Sequence, residues 1–449
     1  MYLLIKINYF FTLIIYNNTK QMALPLSMKF SERVRAQGLS KAKKTITQAP
    51  QNGVTQVCGT GMIEFDLDGN QMAQYADFSS LYIACDITSS YAHDIMLSQI
   101  GTMGLVSRVV VNTVMGTEIA DISYKNQIDA ILIAKQGDAN WLNTNGSVMF
   151  GCGESAFGGA IFEQNVAKRL LIPISLIGID QMMFPLFASE KLRFYIYLEA
   201  AKTAFTTDTA EHTGLANANI TLSNMLLHYD VVELSLQENA ELINDFSGRL
   251  IMTVPTWQCV DADIPATTTA TIQLNVAKTR CRRLLMSQVN STFIANDTTC
   301  SFAMDQALTS EISIKYNASE VKNQAFPLST SGSPEIFAES IKSSCGRILD
   351  IHPSSTTYAN YNVEQTADAT IAAGDDTCGR LYFEVDFQNG FENSDETIVD
   401  GLNLNANTLT VGIKRTSPGT TAARKVFCFV EYWKDVVLDV KLGRWQVYV

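Results

Sequence analysis

Residues 192–199 read LRFYIYLE, with Leu192, Phe194, Ile196 and Leu198 on one parity and Arg193, Tyr195, Tyr197 and Glu199 on the other. Side chains alternate across a strand, so this period of two describes a strand with one covered face and one polar face. No helix tolerates it, because a 3.6-residue period would scatter the apolar residues around the axis. The same signal recurs at 436–442 (VVLDVKL), with Val436, Leu438, Val440 and Leu442 inward. Trp445, Val447 and Val449 continue it. Residues 107–115 (SRVVVNTVM) form a β-branched run that stops at Gly116. Turn dipeptides punctuate these runs at Asp68-Gly69-Asn70, Asn145-Gly146, Asn389-Gly390 and Pro418-Gly419. Many short strands separated by such turns imply an all-β chain of sandwiches or barrels.

Helical spacing is scarce. Residues 236–246 (LQENAELINDF) place Leu236, Ala240, Leu242, Ile243 and Phe246 on one face and end near Gly248. Pro334 opens a second candidate at 334–343, with Ile336, Phe337 and Ile341 apolar. Residues 121–132 (DISYKNQIDAIL) form a third, through Ile122, Ile128, Ile131 and Leu132. The 236–248 segment divides 449 residues into strand-rich parts at 54–235 and 249–449, each the size of one all-β domain. Residues 1–53 form an N-terminal extension ahead of them.

Charge is sparse and uneven. Only 17% of residues are charged, against about 25% in an ordinary soluble protein. Thr, Ser and Asn replace the missing charge, which suits exposed strand faces and surfaces covered by neighbours. Residues 29–44 (KFSERVRAQGLSKAKK) carry Lys29, Arg33, Arg35, Lys41, Lys43 and Lys44 against Glu32 alone, a net +5. Lys6 and Lys20 precede them, leaving residues 45–449 at −19 of the total −12. This basic arm is a candidate contact site. It reads equally as a solvated end or as a binder of a polyanion or partner surface. It has no aromatic interleaving, so contact with nucleic acid would be electrostatic and salt-sensitive.

Tyr2 to Tyr16 is apolar apart from Lys6, Asn8 and Thr12, too short to span a bilayer and without a basic n-region. It reads as an upstream extension with translation beginning at Met22 or Met28, or else as a short membrane-contacting segment. Nine cysteines are dispersed, the closest pair being Cys281 and Cys300, so no zinc spacing exists. They read as small buried hydrophobes in a reducing compartment, cytosol or nucleus.

No catalytic pattern emerges. Gly151-Cys152-Gly153-Glu154-Ser155-Ala156-Phe157-Gly158-Gly159 lacks the Lys of a P-loop and the second Gly of a nucleophile elbow, and reads as a surface loop. His93, His212, His228 and His352 form no ligand spacing, and His228 reads as a strand residue. Asp66 and Asp68 begin a calcium-loop pattern that lacks its closing Glu, and read as a turn. Asn-x-Ser/Thr triplets at Asn145, Asn219, Asn290, Asn296 and Asn317 carry little weight in so Asn- and Thr-rich a chain. No catalytic residue, cofactor or metal is assigned.

Four blocks together resemble the double-jelly-roll major capsid proteins of virophages, polinton-like viruses and their adenovirus-like relatives. The first is 104–111 (GLVSRVVV) with 116–122 (GTEIADI) and Tyr124. The second runs from 172–176 (IPISL) through 184–186 (FPL) to 192–196 (LRFYI). The third is 312–317 (ISIKYN) with 323–327 (NQAFP). The fourth is 381–387 (LYFEVDF), then Phe391, Glu392, Asp395, 400–403 (DGLN), Asn405, 407–411 (NTLTV) and 427–432 (FCFVEY).

The resemblance implies two tandem jelly-roll β-barrels with a few short helices, and a structural rather than enzymatic role. It implies a homotrimer forming a pseudo-hexagonal capsomer of an icosahedral DNA virus shell, made in the host cytoplasm or nucleus and located in the virion. The implied partners are neighbouring capsomers, penton and minor capsid proteins, and, through the basic arm, the genome or an internal membrane. Two other readings compete: a minor capsid or penton-type protein, which needs only one barrel, and a carbohydrate-binding β-sandwich. The latter calls for aromatics over paired carboxylates, yet Trp141, Trp257, Trp433 and Trp445 lie far apart in sequence.

Overall fold

The computed structural model of the chain describes residues 34, 42–67, 72–153, 159–174, 183–187, 190–207, 214–266, 269–296, 299–305, 309–325, 356, 361, 379–387, 401–415 and 423–448. Eight main strands come first: β1 (Ala42–Gln48), β2 (Met62–Leu67), β3 (Gln74–Ser89), β4 (Val106–Thr113), β5 (Glu118–Ser123), β6 (Lys168–Pro173), β7 (Leu192–Leu198) and β8 (Ile220–Glu233). Eight more follow: β9 (Arg249–Ile264), β10 (Thr269–Leu274), β11 (Cys281–Asn290), β12 (Thr309–Tyr316), β13 (Ser319–Ala325), β14 (Tyr382–Asp386), β15 (Leu409–Arg415) and β16 (Arg424–Asp439). A closing strand, β17 (Arg444–Tyr448), folds back on β16.

Hydrogen bonding sorts the first eight into two antiparallel sheets, β1-β8-β3-β6 and β2-β7-β4-β5, with Met183–Pro185 prolonging the β6 edge along β3. The second eight form β9-β16-β11-β14 and β10-β15-β12-β13. Adding eight to each strand number of the first pair of sheets reproduces the second. Each barrel buries the inward parity of its strands. On β7 burial alternates strictly, as its sequence requires, with Leu192, Phe194, Ile196 and Leu198 buried. In the second barrel Ile272, Leu284, Met286, Ile312, Ile314, Val411 and Val430 close the equivalent core.

Two helices matter for the arrangement: α1 (Lys125–Gln136) and α2 (Leu236–Asp245). The sequence dictates the start of α2. Ser235 Oγ accepts the Glu238 N–H at 3.2 Å, and the Glu238 carboxylate accepts the Ser235 N–H at 3.0 Å, a reciprocal capping box. Only Leu242 of α2 is buried, and Leu236 is exposed.

The structure corrects several expectations. The helix expected from Asp121 begins only at Lys125, because Asp121 and Ile122 pair with Val110 and Val109 of β4. Cross-strand pairing outweighs the helical spacing there. Asn145-Gly146 is no turn. It lies in a helical run, Leu142–Gly146, and a Cβ on Gly146 would sit 2.9 Å from the Trp141 ring. The glycine is needed for close approach. Gly151, Cys152 and Gly153 are buried instead of exposed, since Ala160 N–H donates to Gly151 and Gly153 N–H to Gln99. Leu442 is exposed in the turn after β16, which ends at Asp439. Residues 42–48, expected in the arm, pair with β8 from Ala42↔Glu233 to Gln48↔Leu227. The candidate helix at 334–343, the turns at 68–70, 389–390 and 418–419, and residues 154–158 lie outside the described residues.

Candidate assembly site: the seam between the barrels and two outer faces

The strand β16 carries apolar residues on both parities. Val426, Cys428, Val430 and Tyr432 enter the second barrel's core, whereas Phe427 and Phe429 join a cluster built mainly from the first barrel. On β11, Leu284 and Met286 point one way and Leu285 and Val289 the other. The middle of the sheet, β16 from 426 to 432 with the adjoining part of β11, is therefore covered on both faces, by its own core and by the first barrel, while Arg249, Ile251 and Thr253 at the end of β9 stay exposed. Near-continuous apolar runs are what such strands require. The β9–β16 ribbon pairs without interruption from Arg249↔Asp439 to Ile264↔Arg424. One end, through Leu250, Met252, Val254, Val436 and Leu438, packs in the first barrel's cluster.

Aromatic and polar contacts fix the seam laterally. Tyr124, just before α1, packs on Phe427 with ring centroids 5.2 Å apart, and Phe184 stacks on Trp445 of β17 at 4.5 Å. The amides of Gln99 and Gln127 donate to the carbonyls of Phe302 and Ser301 at 3.3 and 3.1 Å. A buried ionic chain crosses from α1 into the second barrel. Lys135 Nζ lies 2.6 Å from Glu384 Oε2, Glu384 Oε1 lies 3.0 Å from Arg283 Nη1, and Arg283 Nε pairs with Glu431. Burial opposes the Arg283 charge, but Glu431 and Glu384 outweigh it and raise its pKa above the ordinary value. Lys434 reaches Glu118 from the other side, its carbonyl at 3.0 Å, and burial lowers that lysine's pKa. Such a chain is satisfied only in one relative placement of the barrels, since removing any partner strands a buried charge.

The two outer sheet faces differ. On β2-β7-β4-β5, Arg193 grips Asp66 through Nε and Nη2 (2.5 and 2.8 Å) and lies over Tyr195. Arg108 grips Asp121 the same way (2.8 and 2.6 Å) and lies over Tyr197. On β10-β15-β12-β13, Thr269, Thr271, Thr410, Gly412, Ser313, Glu311, Lys315 and Lys414 line a shallow depression of about 220 Å³. A Cβ on Gly412 there would meet Ser313 Oγ at 2.6 Å.

The titratable groups show no catalytic grouping among the described residues. Asp66 belongs to the Arg193 pair. His228 stacks on Tyr82 at 4.9 Å and meets Thr47 Oγ1 through Nδ1, and burial followed by the Arg169 charge lowers its pKa. Burial pushes the thiols of Cys58, Cys85, Cys152, Cys281 and Cys428 up to about 12, so they are unreactive at neutral pH. Among the described residues no group of three His, Cys, Asp or Glu could hold a metal, and no helix is long and apolar enough to cross a membrane. Of the basic arm, Lys43 and Lys44 stand on β1 and pair with Asp230 (3.0 Å) and Glu233 (3.8 Å). Lys29, Arg33, Arg35 and Lys41 lie outside the described residues.

No family model matches the chain, and no curated protein matches its sequence. Solved structures do match. A quasi-atomic model of the PBCV-1 virus capsid aligns with a TM-score of 0.59 at 11% identity, covering 91% of this chain and 96% of that one. The Sputnik virophage structure aligns at 0.53 and 10% identity, covering 91% and 88%. The mavirus major capsid protein aligns at 0.51 and 12%, covering 90% of each. The chain has the double-jelly-roll fold. Among the described residues the two barrels share no sheet and meet through side-chain packing, and that seam is what sequence reasoning missed. The signal was present in 427–430 (FCFV) and 284–286 (LLM), where alternation gives way to unbroken apolar runs.

Proposed function

We propose that the chain is the major capsid protein of an icosahedral DNA virus and forms homotrimeric, pseudo-hexagonal capsomers. The observation that carries this reading is the repeated strand order, locked by a seam buried on both sides. A shell subunit of this kind needs two barrels that act as one rigid unit, and the Lys135–Glu384–Arg283–Glu431 chain with the Phe427 and Phe429 packing supplies that rigidity. The capsid structures it resembles lend the role by fold alone. The first barrel then comprises residues 42–235, the second 249–449, and 236–248 joins them.

In this reading the protein is not an enzyme. It resides in the virion and meets neighbouring capsomers and penton and minor capsid proteins. Lys29, Arg33, Arg35 and Lys41 supply the electrostatic contact with the genome or an internal membrane. Lys43 and Lys44 pair with Asp230 and Glu233 of the neighbouring strand. Trimer contacts fall on the outer sheet faces and on the loops between the barrels.

Analytical ultracentrifugation of the purified chain at micromolar concentration and physiological salt tests the proposal. Three times the monomer mass is expected, with three-fold, hexagon-outlined particles by electron microscopy. A monomer under those conditions would overturn it.

A further inference from the structure

Arg415 ends β15 and Arg424 begins β16, so the two bracket one end of the second barrel. Both are buried, at 3% and 1% exposure. Asp305, fully buried, lies 2.7 Å from Arg424 Nη2. Arg415 makes one hydrogen bond, from Nη1 to the Pro265 carbonyl at 3.3 Å. Its Nε and Nη2 are buried without a hydrogen-bond partner. Asn290, opposite Arg424 across the β11–β16 pair, has a buried and equally unpartnered Nδ2.

Nε and Nη2 form one edge of the guanidinium, and that edge matches the two oxygens of a carboxylate or phosphate. This molecule uses it so elsewhere: Arg108 holds Asp121, and Arg193 holds Asp66, through those two nitrogens. At Arg415 the same edge is buried and has no hydrogen-bond acceptor among the described residues. Leaving a buried charged donor unmatched is costly. Burial and the neighbouring Arg424 charge lower the Arg415 pKa, with Asp305 opposing.

We propose that this end of the second barrel binds one oxyanion, a phosphate or a carboxylate, on the Nε–Nη2 edge of Arg415. The site belongs to the single chain and is independent of assembly. The bound anion supplies the acceptor that the buried Nε and Nη2 of Arg415 otherwise lack.

Thermal unfolding of the full chain at pH 7, with chloride exchanged for inorganic phosphate or for acetate at constant ionic strength, tests it. A saturable rise in Tm of about 2–4 °C is expected. A rise with phosphate alone assigns the edge to phosphate, and a rise with acetate alone to a carboxylate. Equilibrium dialysis of the active anion against the unmodified chain should give one saturable site. Arg415→Met should abolish the rise, while Arg193→Gln on the outer face retains it. Where Arg415→Met does not fold, Arg415→Lys serves, with affinity about five- to tenfold lower through loss of one hydrogen bond. No rise with either anion, no saturable site, or an undiminished response in the Arg415 variant (an adventitious ion only) overturns the proposal.

Discussion

β8 and β16 hold the same place in their barrels, yet they are buried differently. Along β8 buried and half-buried residues mostly alternate, and the outward parity carries Thr221, Ser223, His228 and Asp230. Along β16 every residue from 426 to 432 is buried. One strand order thus serves two environments. The β8 strand keeps a polar face toward solvent, whereas the middle of β16 has lost its solvent face to the first barrel. Topology sets which strands are neighbours, and the outward parity decides what may cover the sheet.

Substitution on the outward parity of the two strands breaks or sharpens this contrast. Phe429→Ala should cost about 3–5 kcal/mol in denaturant unfolding, and Thr221→Ala about 0.5 kcal/mol or less. Equal costs would mean that the seam is no more tightly packed than an open face. Glu384→Gln removes the carboxylate shared by Lys135 and Arg283 and should cost about 3 kcal/mol or more. A value near zero, measured by the same unfolding, would show that water reaches the chain.

A pH effect of intermediate size comes from α1. Asp129 is fully buried, and burial raises its pKa to about 6 although Lys125 pairs with it. The folded protein therefore binds more protons at this site than the unfolded chain between about pH 4 and 6. Its contribution to stability is complete below about pH 4 and is lost as pH rises through about 6, with a slope up to about 1.4 kcal/mol per pH unit. Asp129→Asn should remove that slope from the stability–pH profile. An unchanged profile would relocate the titration. The smallest effect belongs to the open outer face: Arg193→Gln should cost about 0.2–1 kcal/mol, despite its bidentate grip on Asp66, because the pair is partly solvated.

Much of the fold was legible in the sequence, for a local reason. The parity of LRFYIYL states that β7 has one covered face, and the Ser235–Glu238 capping box marks where α2 starts, because both depend only on residues a few positions apart. The anion-site edge of Arg415 was illegible, since nothing near it in sequence shows that Arg424 shares its burial.

By itself, then, the sequence determined that strands dominate, the alternation along β7 and a helix at α2. Only the tertiary structure decided that Asp121 and Ile122 are strand, that Asn145-Gly146 is helical, and that Lys135 meets Glu384 across 249 positions. Alternation is imposed by backbone geometry along one strand. Charge pairing depends on which elements become neighbours, and that is settled only when both barrels have closed and docked.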